Sequence, residues 1–177
     1  MVGILRDVLE KAARIRLLIF DVDGVLTDGS LYLTEDGREY KAFHSRDGHG
    51  IKMLLRHGVE IGVITGRTSK VVERRMEDLG IRHLYQGKLD KAPAFEQLTA
   101  SLGISAQDTA YVGDDIVDLP VMRRVGLAIA VQDAHPFVKQ HAHWQTPNCG
   151  GRGAARDVCE LLLEAKGKLI DELESYL

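Results

Sequence analysis

The chain has 177 residues, with 23 Lys and Arg against 26 Asp and Glu, and a net charge of −3 at pH 7. That length suits one domain with a sizeable core, since a chain of this size buries roughly 70% of its unfolded surface. Interspersed charges leave no basic footprint for nucleic acid, and no apolar run approaches the ~20 residues of a membrane span.

In chain order, MVGILRDVLEKAARIR reads as an amphipathic helix, charged along its length and without the small-residue cleavage site of a signal peptide. Strands are expected at 16–20 (RLLIF), 59–65 (VEIGVIT), 83–86 (HLYQ), 109–113 (TAYVG) and 126–131 (GLAIAV). Between them GIKMLLRHG, SKVVERRMEDLG and KAPAFEQLTASLG repeat apolar residues three and four apart and stop at glycine, the helical period with its usual stop signal. Strands alternating with helices predict an α/β fold, a Rossmann-like doubly wound parallel sheet covered on both faces.

One segment departs from that rhythm. SLYLTEDGREYKAF (30–43) alternates at period two on either side of Glu35-Asp36-Gly37, which predicts an inserted β-hairpin, either a flap or an oligomer contact. No repeat or linker marks a second domain, so residues 1–177 are expected to form one. Cys149 and Cys159 make neither a disulfide framework nor a zinc pattern, and the chain is expected to be cytoplasmic. His141 and His143 alternate, a spacing that places both on one face of a strand, with Trp144 beside them as packing.

In an open parallel sheet, ligands bind outside the carboxyl ends of the strands. The residues collected there are Asp21 and Asp23 after the first strand, Thr65, Gly66 and Arg67 after the second, Lys91 at the next helix start, and Gly113, Asp114 and Asp115 after the fourth, with Asp118 one helical turn on. One Asp at a strand end is ordinary turn chemistry; carboxylate, hydroxyl, ammonium and carboxylate at four strand ends is a site. Converging carboxylates call for a hard, oxygen-seeking cation, and Mg²⁺ suits such ligands. A phosphate approaching a free carboxylate meets repulsion of about 4 kcal/mol per charge pair at 4 Å and an effective dielectric of 20. Cation, Lys91, Thr65 and backbone N–H groups can offset it, leaving Asp21 able to attack phosphorus.

The set DVDGVLTDG, ITGR, Lys91 in QGKLDK and GDDIVD resembles the four ordered motifs of the haloacid dehalogenase superfamily, from residue 16 to about 131. That resemblance implies Asp21 as nucleophile, Asp23 as acid and base, Thr65 and Lys91 as phosphoryl-handling groups, and metal ligation by the Asp21 carboxylate, the Asp23 backbone carbonyl and the Asp114 carboxylate. Asp115 and Asp118 are left as a water-mediated ligand or an orienting group. The short intervals between motifs leave no room for a cap domain. Such an open site requires either a large substrate or closure by neighbouring subunits.

FDVDGVLTDG, HSRDGHGIKML, GDDIVDLPVM, VQDAHP and GGRGAARDVCELLL resemble, over nearly the whole chain, the capless 3-deoxy-D-manno-octulosonate 8-phosphate phosphatases of lipopolysaccharide synthesis. This closer resemblance implies a homotetramer joined by the hairpins, and substrate contacts from Asp23, His44, Ser45, Arg46, Asp47, Gly48, Lys52, Gly66, Arg67, Arg75 and Lys91. Arginine suits bidentate binding of the carboxylate or phosphate of such a substrate. Arg152 in the Gly-rich tail is a further candidate. Two alternatives stay open, a phosphatase for a nine-carbon 2-keto-3-deoxynononate or sialic acid 9-phosphate, and a phospho-accepting signalling module. A receiver's ~120 residues and lack of an internal acid and base weigh against the second.

Overall fold

The computed structural model describes residues 2–177, with side chains from Arg6 onward. Six parallel strands form its sheet: β1 (Leu17–Phe20), β4 (Glu60–Ile64), β5 (His83–Tyr85), β6 (Thr109–Gly113), β7 (Leu127–Ala130) and β8 (Trp144–Gln145), in the spatial order β5-β4-β1-β6-β7-β8. Every residue of β1, β6 and β7 is buried. Helices over both faces leave these strands no solvent side, hence their near-continuous apolar runs.

Helices α1 (Val2–Arg14), α2 (Ser45–Arg56), α3 (Lys70–Leu79) and α7 (Ala154–Ala165) form one layer, with α7 packed against both α1 and α2, and α3 against α2. The other includes α4 (Ala92–Leu102) and the short α5 (Leu119–Met122), which pack together. The short helices α6 (Pro136–Gln140) and α8 (Leu169–Glu174) complete the chain. Val8 and Ala12 on α1, then Ile15, are buried, which is the apolar stripe expected of that segment. α3 and α4 end on Gly80 and Gly103 in the left-handed region, as their sequence stops predict.

The hairpin is present but short, with β2 (Tyr32–Leu33) and β3 (Glu39–Tyr40) pairing antiparallel as a separate two-stranded sheet. Its turn closes through Thr34 N–H to Arg38 O, 3.0 Å, and Gly37 N–H to Thr34 O, 2.9 Å. Leu31, Tyr32, Leu33 and Tyr40 are exposed on it. No cap domain stands over the sheet among the described residues.

The reading of 141–144 is corrected. His141 follows α6 as its cap, with Nδ1 3.0 Å from Phe137 O. His143 Nδ1 accepts from Ala128 N–H at 2.8 Å, so the two rings share no strand face. The strand lies one residue on, where Trp144 pairs with Ile129. Two residues are too short for periodicity to reveal; only β7's free edge makes them a strand.

Candidate active site

Counted along the chain, the six sheet strands lie in the order 3-2-1-4-5-6, which reverses direction between β1 and β6. Two loops diverge there and open a crevice. β1 runs into it with Phe20 beside Val63 and Val112, and Asp21 N–H continues the ladder to Val112 O at 3.1 Å. Asp21 therefore emerges beside Asp114, the first residue after β6. Gly24 lies beneath, with φ +89°, and a Cβ there would overlap the Asp114 carboxylate. Only glycine permits both that conformation and that approach. Thr27 holds the loop from inside, its hydroxyl donating to Val22 O at 3.3 Å and accepting from Gly29 N–H at 3.2 Å.

Asp21, Asp114 and Asp118 bring carboxylate oxygens within 4.8 Å of one another. Lys91, 2% exposed at the start of α4, reaches into this group. Its Nζ donates to Asp118 Oδ1 at 2.6 Å and to the Tyr111 hydroxyl at 3.2 Å, and stands 3.0 Å from Asp21 Oδ1 as an ion pair, out of line for a hydrogen bond. Burial works against the Lys91 ammonium, but Asp118 and then Asp21 outweigh it and hold its pKa above the ordinary value. Asp21 is pushed up to about 6, first by burial and then by Asp118. Asp114 is pushed up to about 8 by burial, with Asp118, Asp21 and Asp115 adding to it. The one lysine does not balance these carboxylates.

The oxygens differ in what they already hold. Asp118 Oδ1 accepts from Lys91 and from the Tyr111 hydroxyl at 2.7 Å, and Oδ2 accepts from the backbone N–H of Asp114 and Asp115 at 3.0 and 3.2 Å. Asp115 turns its carboxylate to Ile116 N–H at 2.7 Å. By contrast, Asp21 Oδ1 and Asp114 Oδ1 are buried without a hydrogen-bond donor. Two buried carboxylate oxygens without a hydrogen-bond donor, one facing Lys91 as an ion pair and both on carboxyls of raised proton affinity, are the donor set a divalent cation would satisfy. Asp21 and Asp114 thus fit as direct ligands, while Asp118 is committed to orienting Lys91 and the β6 loop.

Around this centre Asp21, Asp23, Thr65, Gly66, Arg67, Lys88, Leu89, Lys91, Asp114, Asp115 and Val117 line an open cleft of about 200 Å³. Thr65 is 2% exposed, its N–H donating to Tyr85 O at 2.9 Å, which sets the loop after β4. Arg67 NηH donates to Glu39 at 3.2 Å, and its Nε lies 3.9 Å from Asp23 Oδ2. Asp23 Oδ1 accepts from Lys41 of the hairpin.

The HSRDG segment is the N-cap and first turn of α2 rather than a loop, and lies outside the cleft wall. His44 precedes α2 without a side-chain hydrogen bond to it, its Nδ1 buried and unpartnered; Ser45, Arg46 and Lys52 are exposed; Gly48 abuts the Arg75 guanidinium, which lies 5.7 Å from the Phe43 ring centroid. The cleft wall contains none of these residues, nor Asp47. Asp47 differs most from expectation. It is 2% exposed, and its carboxylate accepts from Arg156 N–H at 2.9 Å and Gly153 N–H at 3.3 Å, capping α7. Two orphan donors at a helix start take up the oxygens expected to face substrate. The Gly-rich tail is likewise structural here: Gly151 N–H donates to Val25 O at 2.8 Å, and Arg152 pairs with Asp28 at 3.1 Å.

Glu39, Lys41, Tyr111 and Lys88 are site neighbours that the sequence reading missed. Period-two alternation through the hairpin would have put Glu39 and Lys41 on one face, opposite Tyr40. Tyr111, two residues before the GDD turn inside a buried strand, needed its hydroxyl placed before its role appeared.

A family model for haloacid dehalogenase-like hydrolases matches residues 79–156. The 3-deoxy-D-manno-octulosonate 8-phosphate phosphatase of Escherichia coli K12 is 54% identical over 163 residues, covering 92% of this chain and 87% of the relative. The crystal structure of the Yersinia pestis phosphatase of the same name superposes with a TM-score of 0.92 at 51% identity, over 93% of this chain and 89% of that one. The Moraxella catarrhalis phosphatase, solved with magnesium, phosphate and 3-deoxy-D-manno-octulosonate (KDO), gives 0.95 at 38% identity, over 97% and 99%.

Proposed function

Because the chain belongs to the 3-deoxy-D-manno-octulosonate 8-phosphate phosphatase family of haloacid dehalogenase-like hydrolases, we propose that it hydrolyses that sugar phosphate to the free acid and phosphate, in lipopolysaccharide synthesis. The observation that carries the chemistry is the unbalanced carboxylate pair, Asp21 and Asp114, around a lysine buried at the switch point of the sheet. The Asp21 and Asp114 carboxylates and the Asp23 carbonyl would hold Mg²⁺, which would supply positive charge against the phosphoryl oxygens.

Asp21 attacks phosphorus and forms an aspartyl-phosphate, while Asp23 gives a proton to the leaving sugar oxygen and then takes one from the attacking water. Lys91 holds Asp21 in place and shares the phosphoryl charge, with Thr65 and the N–H groups of Gly66 and Arg67 facing the remaining oxygens. Asp118 keeps Lys91 and the Asp114 loop in register. Asp47 leaves the substrate set on this reading.

The cleft, about 200 Å³, is smaller than the roughly 300 Å³ at which ligand pockets begin, and its walls are open. The whole chain, acting as one cytoplasmic domain, assembles as a homotetramer through the hairpin. A neighbouring copy then closes the cleft with His44, Ser45, Arg46, Lys52 or Arg75, which lie outside its wall within one chain, whereas Gly48 is buried against Arg75 and leaves the substrate set with Asp47.

The test is Mg²⁺-dependent phosphate release from a panel of 3-deoxy-D-manno-octulosonate 8-phosphate, nine-carbon 9-phosphates, hexose phosphates and a phosphopeptide, with Asp21→Asn as the blank. Preference for the eight-carbon acid by tenfold or more is expected, with the blank at least about three orders of magnitude slower. Preference for a nine-carbon acid keeps the mechanism and moves the substrate; release from none refutes both.

A further inference from the structure

Lys41 is an anomaly on the hairpin. The segment around it faces solvent, yet its side chain is 1% exposed, covered against Asp23 and 3.1 Å from Glu39 Oε1. A covered ammonium is costly unless carboxylates surround it, and here one of the two is the proposed acid and base. Arg67 closes the group from the opposite side, 3.2 Å from Glu39 and 3.9 Å from Asp23 Oδ2. Asp23, Lys41, Glu39 and Arg67 therefore make a ring between the insert and the loop after β4.

The two Asp23 oxygens are not equivalent within it. Oδ1 is taken by the Lys41 ammonium, whereas Oδ2 has only Arg67 Nε, beyond hydrogen-bond reach, and Asp23 lines the cleft. We propose that Lys41 is a positioning residue for the reaction, pinning Asp23 Oδ1 so that Oδ2 is the oxygen that exchanges the proton. The inference rests on the phosphatase reading. In the first half-reaction the Asp21–phosphorus bond forms, the bond from phosphorus to the sugar oxygen breaks, and the Oδ2 proton moves to that oxygen. In the second, water oxygen bonds phosphorus, the Asp21–phosphorus bond breaks, and the water proton returns to Oδ2.

A misplaced acid hurts only a leaving group that needs its proton. The experiment compares first-turnover rates of Lys41→Met and wild type on 3-deoxy-D-manno-octulosonate 8-phosphate, whose leaving alkoxide needs protonation, and on p-nitrophenyl phosphate, whose phenolate leaves unaided. The expected result is a fall of about 100-fold on the sugar phosphate and less than about fivefold on the aryl phosphate. Asp23→Asn should show the same split, larger. Lys41→Met leaves Glu39 and Asp23 with Arg67 as their one shared cation, so Glu39→Gln/Lys41→Met, which removes the excess negative charge, is measured alongside and should keep the split. Equal losses on the two substrates in the folded variants would make Lys41 a merely structural residue, and no loss on the sugar phosphate would remove its role altogether. If wild type releases phosphate from neither compound, it is the phosphatase reading that fails.

Discussion

Four donors fill the Asp118 carboxylate, which is wholly buried: the Lys91 ammonium, the Tyr111 hydroxyl and two backbone N–H groups. Asp118→Ala leaves the Tyr111 hydroxyl and two backbone N–H groups without their acceptor and the Lys91 ammonium with Asp21 as its one carboxylate, and should cost about 3–5 kcal/mol. For a chain of this length that lowers Tm by roughly 10 °C, read by thermal melting; a loss below about 1 kcal/mol would mean that water replaces the carboxylate. Asp21 and Asp114 carry the opposite sign. Their folded pKa values, about 6 and about 8, lie above the ordinary 3.8. Between those limits the unfolded chain has released protons that the folded state still holds, so the contribution of these groups to metal-free stability falls as pH rises. It levels off above about 8. Asp114→Asn should flatten this fall, and Mg²⁺ should raise the wild-type Tm more at pH 8 than at pH 5. A metal-free Tm difference between wild type and Asp114→Asn that is independent of pH would show that Asp114 is not perturbed. Both roles rest on which oxygens find donors. The residue types at strand ends were legible in the chain; the distribution of donors among them was not.

Among the elements, the hairpin has two faces. Glu39 and Lys41 turn to the loop after β1, while Tyr40 and its cross-strand partner Tyr32, 55% and 51% exposed, share the other face. An apolar outer face on so short an insert suits contact with a second copy. Tyr32→Lys with Tyr40→Lys should therefore lower the mass seen in light scattering below that of a tetramer, with Lys41 untouched; an unchanged mass would refute assembly through the hairpin. α7 depends on another element for its start. Gly153 precedes it without a side-chain cap of its own, and Asp47 of α2 supplies the acceptor across the interface. Asp47→Ala should cost about 2 kcal/mol, or roughly 4–8 °C in Tm. A tenfold rise in KM at unchanged Tm would instead return Asp47 to substrate. Period two announced the hairpin at 30–43, whereas an acceptor donated from a distant helix leaves no local mark.

At the scale of the whole molecule, the sheet order decides where chemistry sits. With β1 between β4 and β6, loops from distant stretches of sequence meet at one edge, and Asp21, Thr65, Lys91 and Asp114 converge without any being near another in the chain. The alternation of buried runs with helical periods was enough to determine this α/β class, since parallel strands covered on both faces must be apolar throughout. The glycine stops marked where α3 and α4 end, and the Asp, Thr and Lys at strand ends marked the cleft that they line, because loops of such sheets open there. Those are local or periodic properties, carried by composition and spacing. Tertiary structure alone decided that Asp118 orients while Asp114 Oδ1 lies unpaired, that Asp47 serves α7, that Lys41 is covered against Asp23, and that Trp144 adds a sixth strand. Each of these depends on contacts between segments far apart in sequence, where burial and the supply of hydrogen-bond partners, rather than residue type, determine what a side chain does.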